Sequence, residues 1–433
     1  MEKTPTIAII GAGPSGLTLA RLLRVADVKV AITIFEHDTS AKSRKYQGGT
    51  LDLHPDTGLA AVRKAGLWDE AFKYLRYDAE ELVIADKNAT ELMHMKEQPK
   101  TADNKFARPE IDREVLKDML LASVDPSIIR WGKVLQSVNE QSGILTFRDG
   151  TTAGPFDLVV GADGAWSKVR PVLTSVRPSY SGVCGFQCRI TKPDEEYPHI
   201  SKMVGRGSYF SSSDRKSLMA QRLGDETLKV ALWLIKDENY AKDILTAYGS
   251  DEKQLKAKIL ENLAGWEPKM KEWIEVGTDF QSWNLYELPV GHKWDHKKGY
   301  TLVGDAASLM TPFAGEGVNK AMRDCLELAE AIEASLKEGT DIDVGIQNYE
   351  VKMFPRAEYF QEKTMGNKVA LFSESGPANW LARQVTFVIK EELVDVDKGL
   401  GRLVPVRLTC YVIFRIIQIF GSWKRGIRER FAR

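Results

Sequence analysis

Thr6-Ile7-Ala8-Ile9-Ile10-Gly11-Ala12-Gly13-Pro14-Ser15-Gly16 stands near the start of the chain, and its reading decides the fold. A short apolar run meets glycines spaced G-x-G-x-x-G. Residues 15–26 then carry apolar side chains at helical spacing, and residues 28–36 are β-branched and strand-like. Strand, glycine loop, helix and strand make a βαβ unit, which requires a parallel sheet. Gly11 permits the tight turn, Gly13 lets backbone approach a pyrophosphate, and Gly16 lets helix pack on strand. Ser15 lies at the head of the helix, whose free amides and dipole favour phosphate. Glu36 ends the second strand, where a carboxylate accepts ribose hydroxyls. The pattern predicts a dinucleotide site without separating FAD from NAD.

Two further turns repeat this chemistry. Asp157-Leu158-Val159-Val160-Gly161-Ala162-Asp163-Gly164 reads as a strand whose tight turn presents Asp163 at the carboxyl edge of the sheet, with Ser167 and Arg170 beyond. Ligands bind on that edge in doubly wound sheets; a surface turn capped by Ser167 accounts for the same residues. Gly304-Asp305-Ala306-Ala307 again places a carboxylate at a strand end. Pro312-Phe313-Ala314-Gly315-Glu316-Gly317-Val318-Asn319 then opens a long helix. Gly315 and Gly317 leave backbone open to a neighbour, and the helix N-terminus favours negative charge beside it. A helix cap with glycines for close packing is the alternative.

The 433 residues suffice for two to three domains, and 43% apolar against 28% charged residues supports a large core. Sixty basic residues balance sixty acidic ones, so no basic surplus points to nucleic acid. Cys184, Cys188, Cys325 and Cys410 form no C-x-x-C pair and have no histidine cluster, so neither a metal site nor a redox disulfide is expected. Sparse cysteine and the absence of a charged leader before Ile7 make the cytoplasm the expected location.

Strands are expected at residues 81–85, 145–147, 157–161 and 300–303. Helices are expected at residues 55–75, 112–124 (with Asp112 as N-cap), 252–266, 317–336 and 344–372. Residues 182–190, 218–222 and 228–235 suggest an antiparallel sheet. The layout predicts a discontinuous dinucleotide-binding domain at 1–75, 105–178 and 277–343, and a substrate domain at 76–104 and 179–276. A long bridging helix at 344–374 and a C-terminal helical extension at 375–433 follow. Such an interruption places the ligand pocket at the domain interface.

With the three turns in this order, the chain resembles the FAD-dependent aromatic hydroxylases (group A flavin monooxygenases). The likeness extends to Ile111-Asp112-Arg113-Glu114-Val115-Leu116, similar to that family's helix whose arginine reaches FAD, and spans roughly residues 5–375. Gly48-Gly49-Thr50-Leu51-Asp52-Leu53-His54 and residues 304–319 look closest to the tetracycline-inactivating members. The resemblance implies an α/β fold, a Rossmann-like FAD-binding domain with an inserted sheet-based substrate domain. It implies that Gly11, Gly13, Ser15, Gly16 and Glu36 hold the ADP half of FAD, and that Gly49 belongs to the cofactor site. Arg113 and Asp305 would contact the ribityl–phosphate region, and Gly315, Gly317, Val318 and Asn319 would approach the isoalloxazine. Asp163 and Gly164 would support flavin and nicotinamide.

In that family NADPH or NADH delivers hydride to FAD without a separate domain. Dioxygen adds at flavin C4a, and the hydroperoxide passes a hydroxyl to a small aromatic substrate. This chemistry demands no catalytic side chain beyond flavin positioning, so none is assigned. Gln187 matches a glutamine that touches drug in the tetracycline-inactivating members. Phe186, Trp233, Pro312 and Phe313 are further pocket candidates, with core packing the alternative for each. His54 is either polar support for the flavin or a satisfied structural histidine. Glu316 and Ser308 depart from those members, which carry glutamine and histidine there. Three functions are carried forward: hydroxylation of a bulky aromatic or polycyclic compound, tetracycline inactivation, and a flavin-bound interaction protein without turnover.

Residues 403–420 are mostly apolar but contain Arg407, Arg415 and Gln418, and Lys424, Arg425, Arg428, Arg430 and Arg433 follow. An arginine near the centre of a spanning helix costs at least ~2.5 kcal/mol, which disfavours a span. Peripheral membrane contact through a basic amphipathic helix at 403–433, a helix packed on the protein, and a dimer contact all fit the pattern.

Overall fold

In the computed structural model, which describes residues 4–43, 48–96, 108–384 and 386, Thr6–Ile10 is the middle strand of a five-stranded sheet. The order is Tyr300–Leu302, Leu158–Gly161, Thr6–Ile10, Ala31–Phe35, Ile129–Arg130, with every pair parallel. Helices cover such a sheet on both faces, so its strands run apolar without alternation. Ile7, Ala8, Ile9 and Ile10 are all buried. Ile10 pairs with Phe35 and with Gly161, and Gly161 pairs with Leu302. The register therefore brings all three turns out at one carboxyl edge.

A second, seven-stranded sheet runs in the order Thr278–Glu287, Ser179–Ile190, Leu228–Ile235, Lys216–Arg222, Ser208–Ser213, Leu82–Ala85, Glu91–Met95. All its pairings are antiparallel except Ser208–Ser213 with Leu82–Ala85. Side chains alternate across it. Cys184, Phe186, Cys188, Leu218, Ala220, Leu228, Val230 and Leu232 pack on Leu255, Ile259, Met270 and Trp273 of helices behind the sheet. Val183, Ala231 and Trp233 look the other way, onto Phe313, Leu371 and Phe372. The long helix Ile342–Leu371 touches both units: Lys368 donates to Glu287 Oε1 (2.6 Å) and Asn367 to the Phe313 carbonyl (3.0 Å).

Three local expectations are corrected. Residues 55–75 form two helices, Gly58–Lys64 and Trp68–Tyr74, because Gly66 takes a left-handed φ of +66° after the first. Residues 252–266 hold only Glu252–Leu260 and a 3₁₀ turn, and Tyr240–Tyr248 and Pro268–Val276 are separate helices. Asp112 stands at the N-cap of Arg113–Ala122 but does not cap it. Its carboxylate accepts from Arg76 (3.0 Å) and from the Gly224 amide (2.9 Å), so tertiary partners outcompete the local one. No helix among the described residues is long and apolar enough to cross a membrane. The membrane contact expected at 403–433 lies outside the described residues.

Candidate active site

The glycine loop is shaped for a ligand on one side and for close packing on the other. A Cβ on Gly16 would lie 2.0 Å from the Gly11 carbonyl oxygen, and one on Gly11 would lie 2.5 Å from that of Ala162. Neither position tolerates a side chain. A Cβ on Gly13 would meet nothing within 4 Å, which leaves space before the N-terminus of Pro14–Val25. That space suits a pyrophosphate against unclaimed amides. Glu36 is buried, and its carboxylate accepts from the Ala12 amide at 2.5 Å and the Asp38 amide at 2.8 Å. Its carboxylate is thereby fixed at the strand end.

The other two turns are tied together by a residue of the second. Arg170 is buried and donates to the carbonyls of Ala306 (2.8 Å), Asp305 (3.0 Å) and Ala165 (2.9 Å). Ser167 Oγ accepts from the Val169 and Arg170 amides, but the N-cap of the short helix Arg170–Leu173 is Val169, not Ser167. Asp163 Oδ2 accepts from the Lys168 amide at 2.7 Å, while Oδ1 is buried without a partner. Burial raises the Asp163 pKa against the pull of Ser167 and Lys168. Gly164 takes φ +73°. Gly304 takes φ +62°, donates to Asp324 Oδ2 (3.0 Å) and passes so close to Ser15 that a Cβ would sit 2.6 Å from Oγ. Asp305 is exposed at the head of the short helix Asp305–Ser308. The surrounding protein raises its pKa, while Arg113, Lys320 and Arg170 oppose the rise. Arg113 reaches the same place along Gly48, whose Cβ would lie 3.0 Å from Arg113 Cδ, and its amide donates to Gly49 O (3.1 Å).

Gly315 takes φ +67°, and a Cβ there would lie 3.2 Å from Asp52 Oδ1. Gly317 opens the 22-residue helix Gly317–Glu338 with nothing near its missing side chain. Glu316, the preceding residue, makes no cap bond to that helix. It reaches Lys363 (2.6 Å) and His54 Nδ1 (3.3 Å) instead, leaving the first-turn amides open. His54 Nε2 meets Asp52 Oδ2 at 2.8 Å. Burial works against a charged His54, but Asp52 and Glu316 outweigh it and raise its pKa. Burial likewise opposes ionised Glu316, and His54 and Lys363 outweigh it and lower its pKa. Asn319 is fully buried. Its side chain accepts from the His54 amide (2.8 Å) and donates to Asp52 O (2.8 Å) and Gly315 O (3.2 Å). It fastens the loop.

On the second sheet, register places Gly185, Gln187 and Arg189 beside Trp233, Ala231 and Lys229, and those beside Ser217, Met219 and Gln221. This row shares the face of Trp233 that meets Phe313. Phe186 does not belong to it. It is 1% exposed in the core behind the sheet, because neighbours on a strand point to opposite faces. Pro312 is exposed, and Phe313 is buried edge-on to Phe372, with centroids 5.2 Å apart.

A family model described as an FAD binding domain matches residues 3–364. The chain belongs to the aromatic-hydroxylase type of FAD-dependent monooxygenases. Monooxygenase asqM of Emericella nidulans is 33% identical over 85% of this chain and 96% of its own length. Among solved structures, HpxO of Klebsiella pneumoniae, complexed with FAD and uric acid, is similar with a TM-score of 0.70 at 18% identity, over 95% of this chain and 97% of that one. Tetracycline destructase Tet(55) is similar with a TM-score of 0.66 at 18% identity, over 90% and 96%.

FAD is the cofactor of this monooxygenase, and the open space at Gly13, the partnerless Asp163 Oδ1 and the free amides after Glu316 fit it. Sequence reading did not assign Arg170 its tie between two turns, nor Lys363 its pairing with Glu316. The only signal for the second was the charged residue at 316. Ser308, the other departure, is buried with its hydroxyl unpaired.

Proposed function

We propose that this monooxygenase hydroxylates a bulky aromatic or polycyclic small molecule, consuming NADPH or NADH and dioxygen. What supports this is the sheet face on which Gln187, Met219, Ala231 and Trp233 lie in one row, the face of Trp233 that clusters with Phe313. An apolar surface with a few fixed polar groups suits a ring system. Bound FAD would take hydride from the nicotinamide and activate oxygen. Gly13, Glu36 and Arg113 would hold its ADP and phosphate parts, and Asp163, Gly164 and Asp305 its centre. The open amides of Gly317 and Val318 would stabilise negative charge on the ring system. Trp233 and Phe313 would exclude water, and Gln187 would orient the substrate. The substrate side expected from the sequence, 76–104 and 179–276, is joined in the second sheet by the strand Thr278–Glu287.

Tetracycline inactivation is the second reading, favoured by the placement of Gln187 on the sheet face that carries Ala231 and Trp233. The test is nicotinamide oxidation by the purified yellow protein, with a panel of phenols, fused-ring aromatics and tetracyclines under labelled dioxygen. Ring-stimulated oxidation with label in the product is expected. Oxidation indifferent to every compound would overturn the proposal.

A further inference from the structure

We propose that the buried pair Lys320 and Asp324 holds Gly304 in the conformation that presents Asp305 to FAD, which makes both of them positioning residues for the cofactor. This rests on Asp305 being a contact of FAD, as expected from the sequence.

Gly304 is the joint between the strand Tyr300–Leu302 and Asp305. It takes φ +62° and ψ −139°, and a Cβ there would lie 2.6 Å from Ser15 Oγ, so only glycine fits. Glycine also has the freest backbone, and a turn built on it needs outside ties to hold one direction. Both polar groups of Gly304 go to the same ion pair. Its N–H donates to Asp324 Oδ2 at 3.0 Å, and its carbonyl accepts from Lys320 Nζ at 3.3 Å, while Nζ meets Oδ2 at 2.5 Å. The two residues are four apart on the helix Gly317–Glu338, hence on one face of it. Tying down the N–H and the carbonyl of one residue fixes both of its dihedrals. The direction in which the chain enters Asp305 is fixed with them.

Lys320 is 1% exposed and Asp324 not at all. A buried ion pair contributes little net stability, because desolvation offsets the attraction. What it supplies here is direction, through charge-assisted hydrogen bonds. The charge of Lys320 also reaches Asp305, together with those of Arg113 and Arg170. Cys325, next along the helix, donates its thiol to the Ser15 carbonyl at 3.0 Å, so the same helical turn meets the head of Pro14–Val25. The other oxygen of Asp324 serves a different purpose. Oδ1 accepts at 2.9 Å from Arg356 of the helix Ile342–Leu371, and Arg356 also pairs with Glu327. One carboxylate thus has one cation for the turn and another for the packing of two helices.

K320M and R356M test this as a matched pair. Each leaves Asp324 with one cation, so both should lower the melting temperature. FAD dissociation constants are read from the fluorescence of cofactor released when the loaded proteins are diluted. The constant is expected to rise about tenfold or more in K320M and to stay within about twofold of wild type in R356M. K320R, which keeps a cation and a donor, should recover most of the affinity. D324N keeps an acceptor for the Gly304 N–H but loses the charge that draws in Lys320; it should weaken FAD as K320M does, and it gives the reading if K320M does not fold. Wild-type affinity in K320M or D324N would overturn the proposal. So would an R356M protein that loosens FAD as much as K320M, since the network would then act on folding alone. D305N checks the contact itself: FAD held by D305N as tightly as by wild type would also overturn it.

Discussion

Arg170 Nε donates to the carbonyl oxygen of Ala306 at 2.8 Å, joining two turns that lie 136 residues apart in sequence. Two further carbonyls, of Asp305 and Ala165, accept from the same guanidinium. A buried acceptor that loses its donor costs roughly 1–3 kcal/mol. We expect R170M to lower unfolding free energy by about 2–4 kcal/mol and to reduce bound FAD. R170K should recover little, since one ammonium cannot span the fork. FAD content and melting temperature check this; an R170M protein with wild-type values for both contradicts it.

Gly13 and Gly16 separate cofactor binding from folding. G16A must move the Gly11 carbonyl and should fail to give stable protein. G13A adds a methyl to open space, so the apoprotein should keep its stability within about 0.5 kcal/mol. Its affinity for FAD should nonetheless fall about tenfold or more, because the methyl occupies the pyrophosphate approach. Denaturant unfolding of the apoprotein and an FAD titration give the two numbers.

His54 and Glu316 stabilise each other in a bounded pH range. The raised pKa of His54 means its contribution is present below the ordinary 6.5 and is lost as pH rises through the raised value. The lowered pKa of Glu316 means its contribution is present above the ordinary 4.5 and is lost as pH falls through the lowered value. E316Q should lower the His54 titration midpoint, because burial then faces Asp52 alone. K363M should raise it by removing a nearby cation. Histidine NMR titrations decide; identical midpoints in wild type and E316Q would refute the coupling.

Glu110 runs against stability at alkaline pH. Burial, opposed by Thr50 and Arg76, pushes its pKa up to about 8. The folded state keeps a proton that the unfolded chain releases above about 4.5, so stability falls as pH rises between those values. E110Q should flatten that fall by an amount on the order of a few kcal/mol. Parallel urea curves at pH 5 and pH 8 would show otherwise if the two proteins lose the same stability.

Phe186 and Gln187 are neighbours with different jobs. F186A opens a cavity behind the sheet and should cost about 3–5 kcal/mol. Q187A should leave the melting temperature near wild type while raising KM for whichever ring compound stimulates nicotinamide oxidation. An F186A protein with normal stability and altered KM would place Phe186 in the pocket after all.

Much of this was legible because it is local. Gly11, Gly164, Gly304 and Gly315 adopt positive φ, which side chains resist, so glycine there announces a turn. Apolar runs without alternation announced the buried parallel strands. Short-range signals failed where a partner from elsewhere took over. Asp112 looks like a cap and serves Arg76 and Gly224. Asn319 looks like a ligand contact and bolts residues 52–54 to the loop.

From residue order alone come the dinucleotide fingerprint, the family resemblance and the three carboxylate turns, since each depends on backbone conformation over a few neighbouring residues. Which turns share a guanidinium and which face Phe186 occupies depend on strand order and on how the two sheets are set against each other. Those pairings span tens to hundreds of residues, and only the folded chain brings them within hydrogen-bond range.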